Sequence, residues 1–378
     1  MIEKVVDGNW CIEQLKEAIR IPSPTGNEER LADWVGSILK RFGFEVDFQE
    51  VDRERKNVVG RRAFGRKGPS ILVGGHLDTV QAAGDWSRDP LIPVVENGNL
   101  FGLGACDMKA GLVALLAAIE AIDRSRALSR GELLFAGLVD EEALSLGAKA
   151  FVKSPLKADM ALLAEPHDEE IVIGGPGKVL FEIHLQGKGG HASHPQSGIN
   201  AIGEAAKLIN RLDQLPRAKH DIMGTGTHCV LRIQGGSETY SLSIPEFCSF
   251  LWSRHLVPPE TADQVALDLE HLGSIIGLKG KLTVRRKDPY YPPYVVARDE
   301  IIVRSLQQAY HEETSKLLTV GFGKSVSDAN LLVADKGIPT VLFGPRGGNI
   351  HSGDEYVSID SMIRAARIYT RVFEALLG

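Results

Sequence analysis

The sequence predicts an α/β fold: a mostly parallel sheet clad in helices, interrupted by a smaller α+β domain. Three observations predict it. Up to about Val179, apolar strand-like runs alternate with helix-period segments, the order that a parallel sheet and its crossovers require. From Lys178 to Pro289 the order becomes strand, helix, strand, strand, helix, strand, which is the ferredoxin-like arrangement. Beyond it the helix-strand-helix style of the first half resumes. A chain of 378 residues exceeds one ordinary core, so residues 1–177 and 290–378 are assigned to one domain and 178–289 to an insertion.

Each element follows in turn. "CIEQLKEAIR" and "EERLADWVGSILKRFG" carry the helical period, the second ending on Gly43 as a C-cap. "SILVGGHLDT", "GELLFAGLVDEE" and "DMALLAEP" read as buried strands, with helices from about Met108 to Asp123 and in "LGAKAFVKS" between them. The insertion runs "VLFEIHLQG", "GINAIGEAAKLINRLDQL", "HCVLRIQGG", "SFLWSRHL", "TADQVALDLEHLGSIIG" and "KLTVRRK". "DPYYPPYVV" reads as a proline-stiffened linker. "DEIIVRSLQQAYHEE", "IPTVLFGP" and "SIDSMIRAARIYTRVFEALL" close the larger domain.

Composition removes several classes of function. Net charge is −6 with Lys and Arg scattered, so the basic stripe that nucleic acid needs is missing. The most apolar run, "AGLVALLAAIEAI", falls short of the ~20 residues that span a bilayer and reads as a buried helix. Cys11, Cys106, Cys229 and Cys248 stand apart with no C-x-x-C pair, and the first residues lack a signal-peptide pattern. Reduced thiols and a cytoplasmic location are the expectation.

Ligand sites in such sheets gather at the carboxyl ends of strands, and here those ends are acidic or imidazole-bearing. In "GGHLDTV", His76 and Asp78 share a face, so the carboxylate can fix the imidazole tautomer; a satisfied surface pair is the bland alternative. Asp107 in "GLGACDMKAG" is either an N-cap or a group approached closely past Gly102, Gly104 and Gly111. Asp140, Glu141 and Glu142 follow a strand directly. They form either a solvated acidic turn or a cluster whose repulsion a cation relieves, one Glu holding the ion and another taking a proton from water. Glu165 ends a further strand and His351 lies in a glycine-rich loop. Two imidazoles and three carboxylates at successive strand ends suit a pair of divalent ions.

Taken in order, "GGHLDTV", "GLGACDMKAG", "DEEALSLGA", "AEP", "GKGGHASHPQSGINAI", "SVSDA" and "GPRGGNIHSGDEYV" resemble the M20 metallopeptidase and deacylase family over nearly the whole chain. The resemblance implies a zinc-exopeptidase-like catalytic domain with a lid and dimerisation domain inserted, and hence a homodimer. It implies two zinc ions, with cobalt or manganese suiting the same ligands. Asp107 would bridge them, His76 and Glu165 completing one site and Glu142 and His351 the other. Glu141 would be the general base and acid, and Asp78 the carboxylate orienting His76. The Asp107–Met108 peptide bond would be cis. His191 would reach the partner's site and polarise the scissile carbonyl, with Asn200 a further candidate for substrate contact. Many members carry Asp-x-Arg before the "PPE" turn to grip a substrate carboxylate. Here "SRHLVPPE" places Ser253 and His255 there, leaving Arg254 or His255 as the substitutes.

The expected activity is hydrolysis of the amide bond of small N-acyl amino acids or related compounds. Within the resemblance, Glu at position 165 favours a deacylase over the alternative, a dipeptidase or carboxypeptidase of the same family; a non-catalytic metal- or peptide-binding module is a remote alternative, since base, ligands and the carbonyl-polarising histidine are all present.

Overall fold

A computed structural model describes residues 6–53, 55–239 and 241–378. The chain divides into two compact units. One comprises residues 1–174, 296–323 and 327–378; the other comprises 175–295 and 324–326.

Among the described residues the larger unit holds an eight-stranded sheet. Its strands are β1 (Glu45–Asp52), β2 (Arg55–Ala63), β3 (Arg66–His76), β4 (Arg130–Leu138), β5 (Met160–Leu163), β6 (Ile171–Val172), β7 (Val320–Gly321) and β8 (Thr340–Leu342), in the spatial order β1-β2-β4-β3-β5-β8-β6-β7. The central run β4-β3-β5-β8 is parallel throughout. Ile71–His76 are all buried, as expected of a strand covered on both faces. The antiparallel β1–β2 pair at one edge escapes the sequence reading, because neither strand carries a continuous apolar run.

The helix Ala110–Ser125 is apolar on nearly every side and is buried almost throughout. Its approach to the sheet needs Gly111, where an added Cβ would sit 2.0 Å from the Ala164 carbonyl oxygen. A Gly111→Ala variant is expected to lose about 1–3 kcal/mol by overpacking. Thermal unfolding checks this, and an unchanged Tm would contradict so close an approach.

The smaller unit builds a fully antiparallel sheet in the order His228–Gly235, Phe247–Leu256, Gly177–Gln186, Lys281–Tyr291. The helices Ala201–Ile209 and Ala262–Ile275 pack on one face. There Val179, Phe181, Ile183 and Leu185 alternate inward to meet Phe250, Trp252 and Leu256. The proline-rich linker expected over residues 288–296 is corrected. The last long strand continues through Asp288 and Pro289 to Tyr291. It is an edge strand, where a residue without an N–H costs no ladder bond.

No helix of the described residues is long and apolar enough to cross a membrane. All four cysteines are free, and only Cys229 is exposed. One rapidly reacting thiol per native chain is the expected titre with a thiol reagent, rising to four on denaturation. A native titre above one would place another cysteine at the surface.

Candidate metal centre

Parallel register brings the site together. β4, β3 and β5 lie side by side, with His76 opposite Leu138 and Gly74 opposite Leu163, so their carboxyl ends open at one edge. His76 ends β3, the turn bearing Glu141 and Glu142 follows β4, and Glu165 follows β5. Asp107 comes from the turn before Ala110–Ser125, and His351 from the loop after β8. The peptide bond Asp107–Met108 is cis.

These side chains converge. His76 Nε2 lies 3.0 Å from Asp107 Oδ1 and 3.9 Å from Glu165 Oε2. His351 Nε2 lies 3.4 Å from Asp107 Oδ2 and 2.8 Å from Glu142 Oε1. Asp107 thus faces one imidazole with each oxygen.

The orientation of His76 differs in detail from the expectation. Its Nδ1 lies 2.8 Å from the backbone carbonyl of Asp78 and 3.6 Å from the carboxylate. A carbonyl only accepts, so Nδ1 carries a proton, and Nε2 is the ring nitrogen that faces Asp107. The Asp78 carboxylate holds a neighbouring turn instead. It accepts from the N–H groups of Glu141 (3.0 Å) and Glu142 (3.2 Å) and from the Thr25 hydroxyl (2.8 Å).

The three consecutive acids also part company. Asp140 turns away to meet Arg55 at 2.6 Å, and Arg55 in turn grips the fully buried Glu28. The other Asp140 oxygen accepts from the N–H groups of Leu144 and Leu146, closing the turn. Only Glu141 and Glu142 remain for the site. Burial, together with Glu165, Asp328 and Glu142, pushes the Glu141 pKa up against the opposing pull of His76. Burial, Asp107 and Asp328 likewise push Glu165 up to about 8, again against His76. Hydrogen bonds to Asp107 and Glu142 raise His351 to about 10.

The donor set fits divalent ions. Ligand atoms of His76, Asp107 and Glu142 lie within 4.8 Å of one another. Glu165 Oε1 is buried without a hydrogen-bond partner, a costly state that coordination would remove. Imidazole and carboxylate donors with no thiolate suit zinc, cobalt or manganese alike.

In the smaller unit the candidates separate. His191 is exposed, its Nδ1 accepting from the Ser193 N–H at 3.2 Å. Asn200 caps the helix Ala201–Ile209, its Oδ1 accepting from the Gly203 N–H. The half-buried His255 has Nδ1 3.1 Å from the Thr227 hydroxyl, and burial followed by Lys178 lowers its pKa. The expectation for Arg254 as a substrate contact is corrected. Strand alternation turns it to the helix-covered face beside Trp252, 1% exposed, where it pairs with Glu260 and donates to the Pro216 carbonyl.

Sequence reasoning also missed Thr25, Glu28, Arg55 and Glu355. Glu355 lay inside a quoted motif and Glu28 at the head of a helical segment, both without a role, and Thr25 and Arg55 carried no periodic or motif signal.

Residues 72–375 match the family model Peptidase family M20/M25/M40, and the chain belongs to that family. It is therefore a hydrolase of the peptidase and amidohydrolase type. Among curated relatives it is similar to N-formyl-4-amino-5-aminomethyl-2-methylpyrimidine deformylase of Bacillus subtilis (strain 168), 28% identical over 399 aligned residues that cover 91% of this chain and 88% of that one. Among solved structures, aminopeptidase PepT from Bacillus cereus superposes with a TM-score of 0.81 at 20% identity, covering 99% of this chain and 100% of that one. The YXEP protein of Bacillus subtilis, described as a dinuclear metal binding peptidase, gives 0.76 at 15% identity, covering 98% of each chain.

Proposed function

We propose that the protein is a metal-dependent deacylase that hydrolyses the amide bond of small N-acyl amines, N-acyl amino acids among them. The observation that carries this is a division of labour within one turn. Glu142 faces His351 among the would-be ligands, while its neighbour Glu141 is left for proton transfer.

In this reading His76, Asp107 and Glu165 would hold one zinc ion, and Asp107, Glu142 and His351 would hold the other. When bound, the ions supply Lewis acidity toward water and the substrate carbonyl. The chain's own residues do the rest. Glu141 takes a proton from the attacking water and delivers it to the departing nitrogen. Asp78 fixes the backbone of the turn, so the proton carrier and the ligand keep a constant spacing.

Two further parts belong to the proposal. His191 acts on the substrate carbonyl of a second copy within a homodimer, for which an exposed imidazole is needed. The outer strand His228–Gly235, with Leu231 55% and Ile233 50% exposed, supports pairing through the smaller unit. Free cysteines support a reducing, cytoplasmic setting.

Deacylation is favoured over peptide cleavage by the relative named as a deformylase, whose amine is a pyrimidine rather than an amino acid. The burial of Arg254 is in keeping with that, since it removes one cation from carboxylate recognition. The test is a panel of formyl, acetyl and succinyl amides against dipeptides, using zinc-loaded protein. Faster cleavage of the acyl amides is expected; turnover of dipeptides alone would overturn the proposal in favour of a peptidase.

A further inference from the structure

We propose that Glu355 is a positioning residue that sets the Asp107 carboxylate for the two-ion centre, an inference that rests on the function proposed above. Its side chain is buried, 3% exposed, and takes three backbone hydrogen bonds from one turn. Oε2 accepts from the Gly104 N–H at 2.7 Å, and Oε1 accepts from those of Cys106 at 2.8 Å and Asp107 at 2.9 Å. The backbone carbonyl of Glu355 also accepts from the Gly102 N–H at 3.0 Å. One residue therefore holds four N–H groups between positions 102 and 107.

Elsewhere the turn is closed by the Ala105 N–H to the Gly102 carbonyl and the Lys109 N–H to the Gly104 carbonyl, both at 3.0 Å. Gly104 is left-handed at φ +74°, and Asp107 (φ −112°, ψ 99°) and Met108 (φ −128°, ψ 32°) depart from helical geometry. A helical ladder does not fix the N–H groups of Cys106 and Asp107; the Glu355 carboxylate does. Consecutive N–H groups converging on one anion form the concavity known from backbone anion sites, here filled by the protein's own side chain.

Position in the chain adds the second half of the argument. Glu355 follows His351 by four residues, so it ties the His351 loop to the Asp107 turn. Across that tie, His351 Nε2 and Asp107 Oδ2 stand 3.4 Å apart. All three side-chain contacts of Glu355 come from donors, so both of its oxygens must accept. Glutamine would turn an NH₂ group toward an N–H, and an apolar residue would leave three buried donors unsatisfied.

The test uses the full chain with Glu355→Gln and Glu355→Ala, and reads metal binding rather than turnover. Zinc is titrated against a chromophoric chelator, and the cobalt-loaded protein is followed by its visible absorption bands. Expected are a lowered apo-protein Tm for Glu355→Ala, whose three buried donors lose their partner, a Tm nearer the parent's for Glu355→Gln, and in both variants zinc affinity lower by about 10–100-fold with altered cobalt bands. Two ions bound at parental affinity, with an unchanged cobalt spectrum, would overturn the inference. Should the Ala variant fail to fold, the isosteric Gln variant decides. If the parent itself takes up no zinc, the two-ion reading fails first; if the parent binds and the variants match it, only the role of Glu355 fails.

Discussion

A Glu141→Gln variant is expected to keep its metal and to turn over about 10²–10⁴-fold more slowly, the range associated with losing a positioned proton carrier. The substitution is nearly isosteric, and the two hydrogen bonds that seat the turn come from backbone N–H groups, which it leaves in place. The ligands should therefore stay where they are. The loss should fall on kcat, because the amide neither accepts a proton from water nor returns one to nitrogen. Steady-state kinetics with metal analysis on the same sample make the check. Near-parental kcat in a variant carrying full metal would remove Glu141 from the mechanism.

Arg55→Ala is expected to cost about 3–5 kcal/mol of stability, because it strands buried acids rather than merely deleting a contact. Glu28 is fully buried and Asp140 is 3% exposed, and both lie 2.6 Å from the same guanidinium nitrogen. Arg55→Lys should recover only part of the loss, since a compact ammonium lacks the fork that reaches two carboxylates at once. Denaturant unfolding measures both variants. A parental midpoint in Arg55→Ala would show that the two acids find other partners. Because Asp140 anchors the turn carrying Glu141 and Glu142, reduced metal affinity should accompany the loss of stability.

The legible part of the site lay where local pattern and chemistry coincide. His76 and Glu165 closed apolar runs, so strand-end placement followed from hydrophobicity alone. Asp107 and His351 stood among glycines that mark close backbone approach, and Glu142 in an acidic triplet directly after a strand. Arg55 was illegible because its partners lie 27 and 85 positions away and a single arginine in a strand carries no periodic signal. Asp78 was found, but its role was only half read. Residue types suggested a carboxylate on an imidazole, whereas the backbone carbonyl makes that bond and leaves the carboxylate for another turn. Arg254 was readable in principle. Cys248, Phe250, Trp252 and Leu256 share its parity, and extending that alternation puts the guanidinium on the inner face. The antiparallel β1–β2 edge was hidden by charge, since the alternation in "EVDFQEVD" is mostly polar on both sides.

The Asp78 carboxylate seats two successive peptide groups, those of the proposed proton shuttle and of an ion-holding acid. If the proposed roles hold, metal binding and delivery of the proton are yoked to one side chain. An engineer who alters position 78 to favour a different ion would shift the acidity profile of turnover in the same stroke, and the two properties would have to be retuned together.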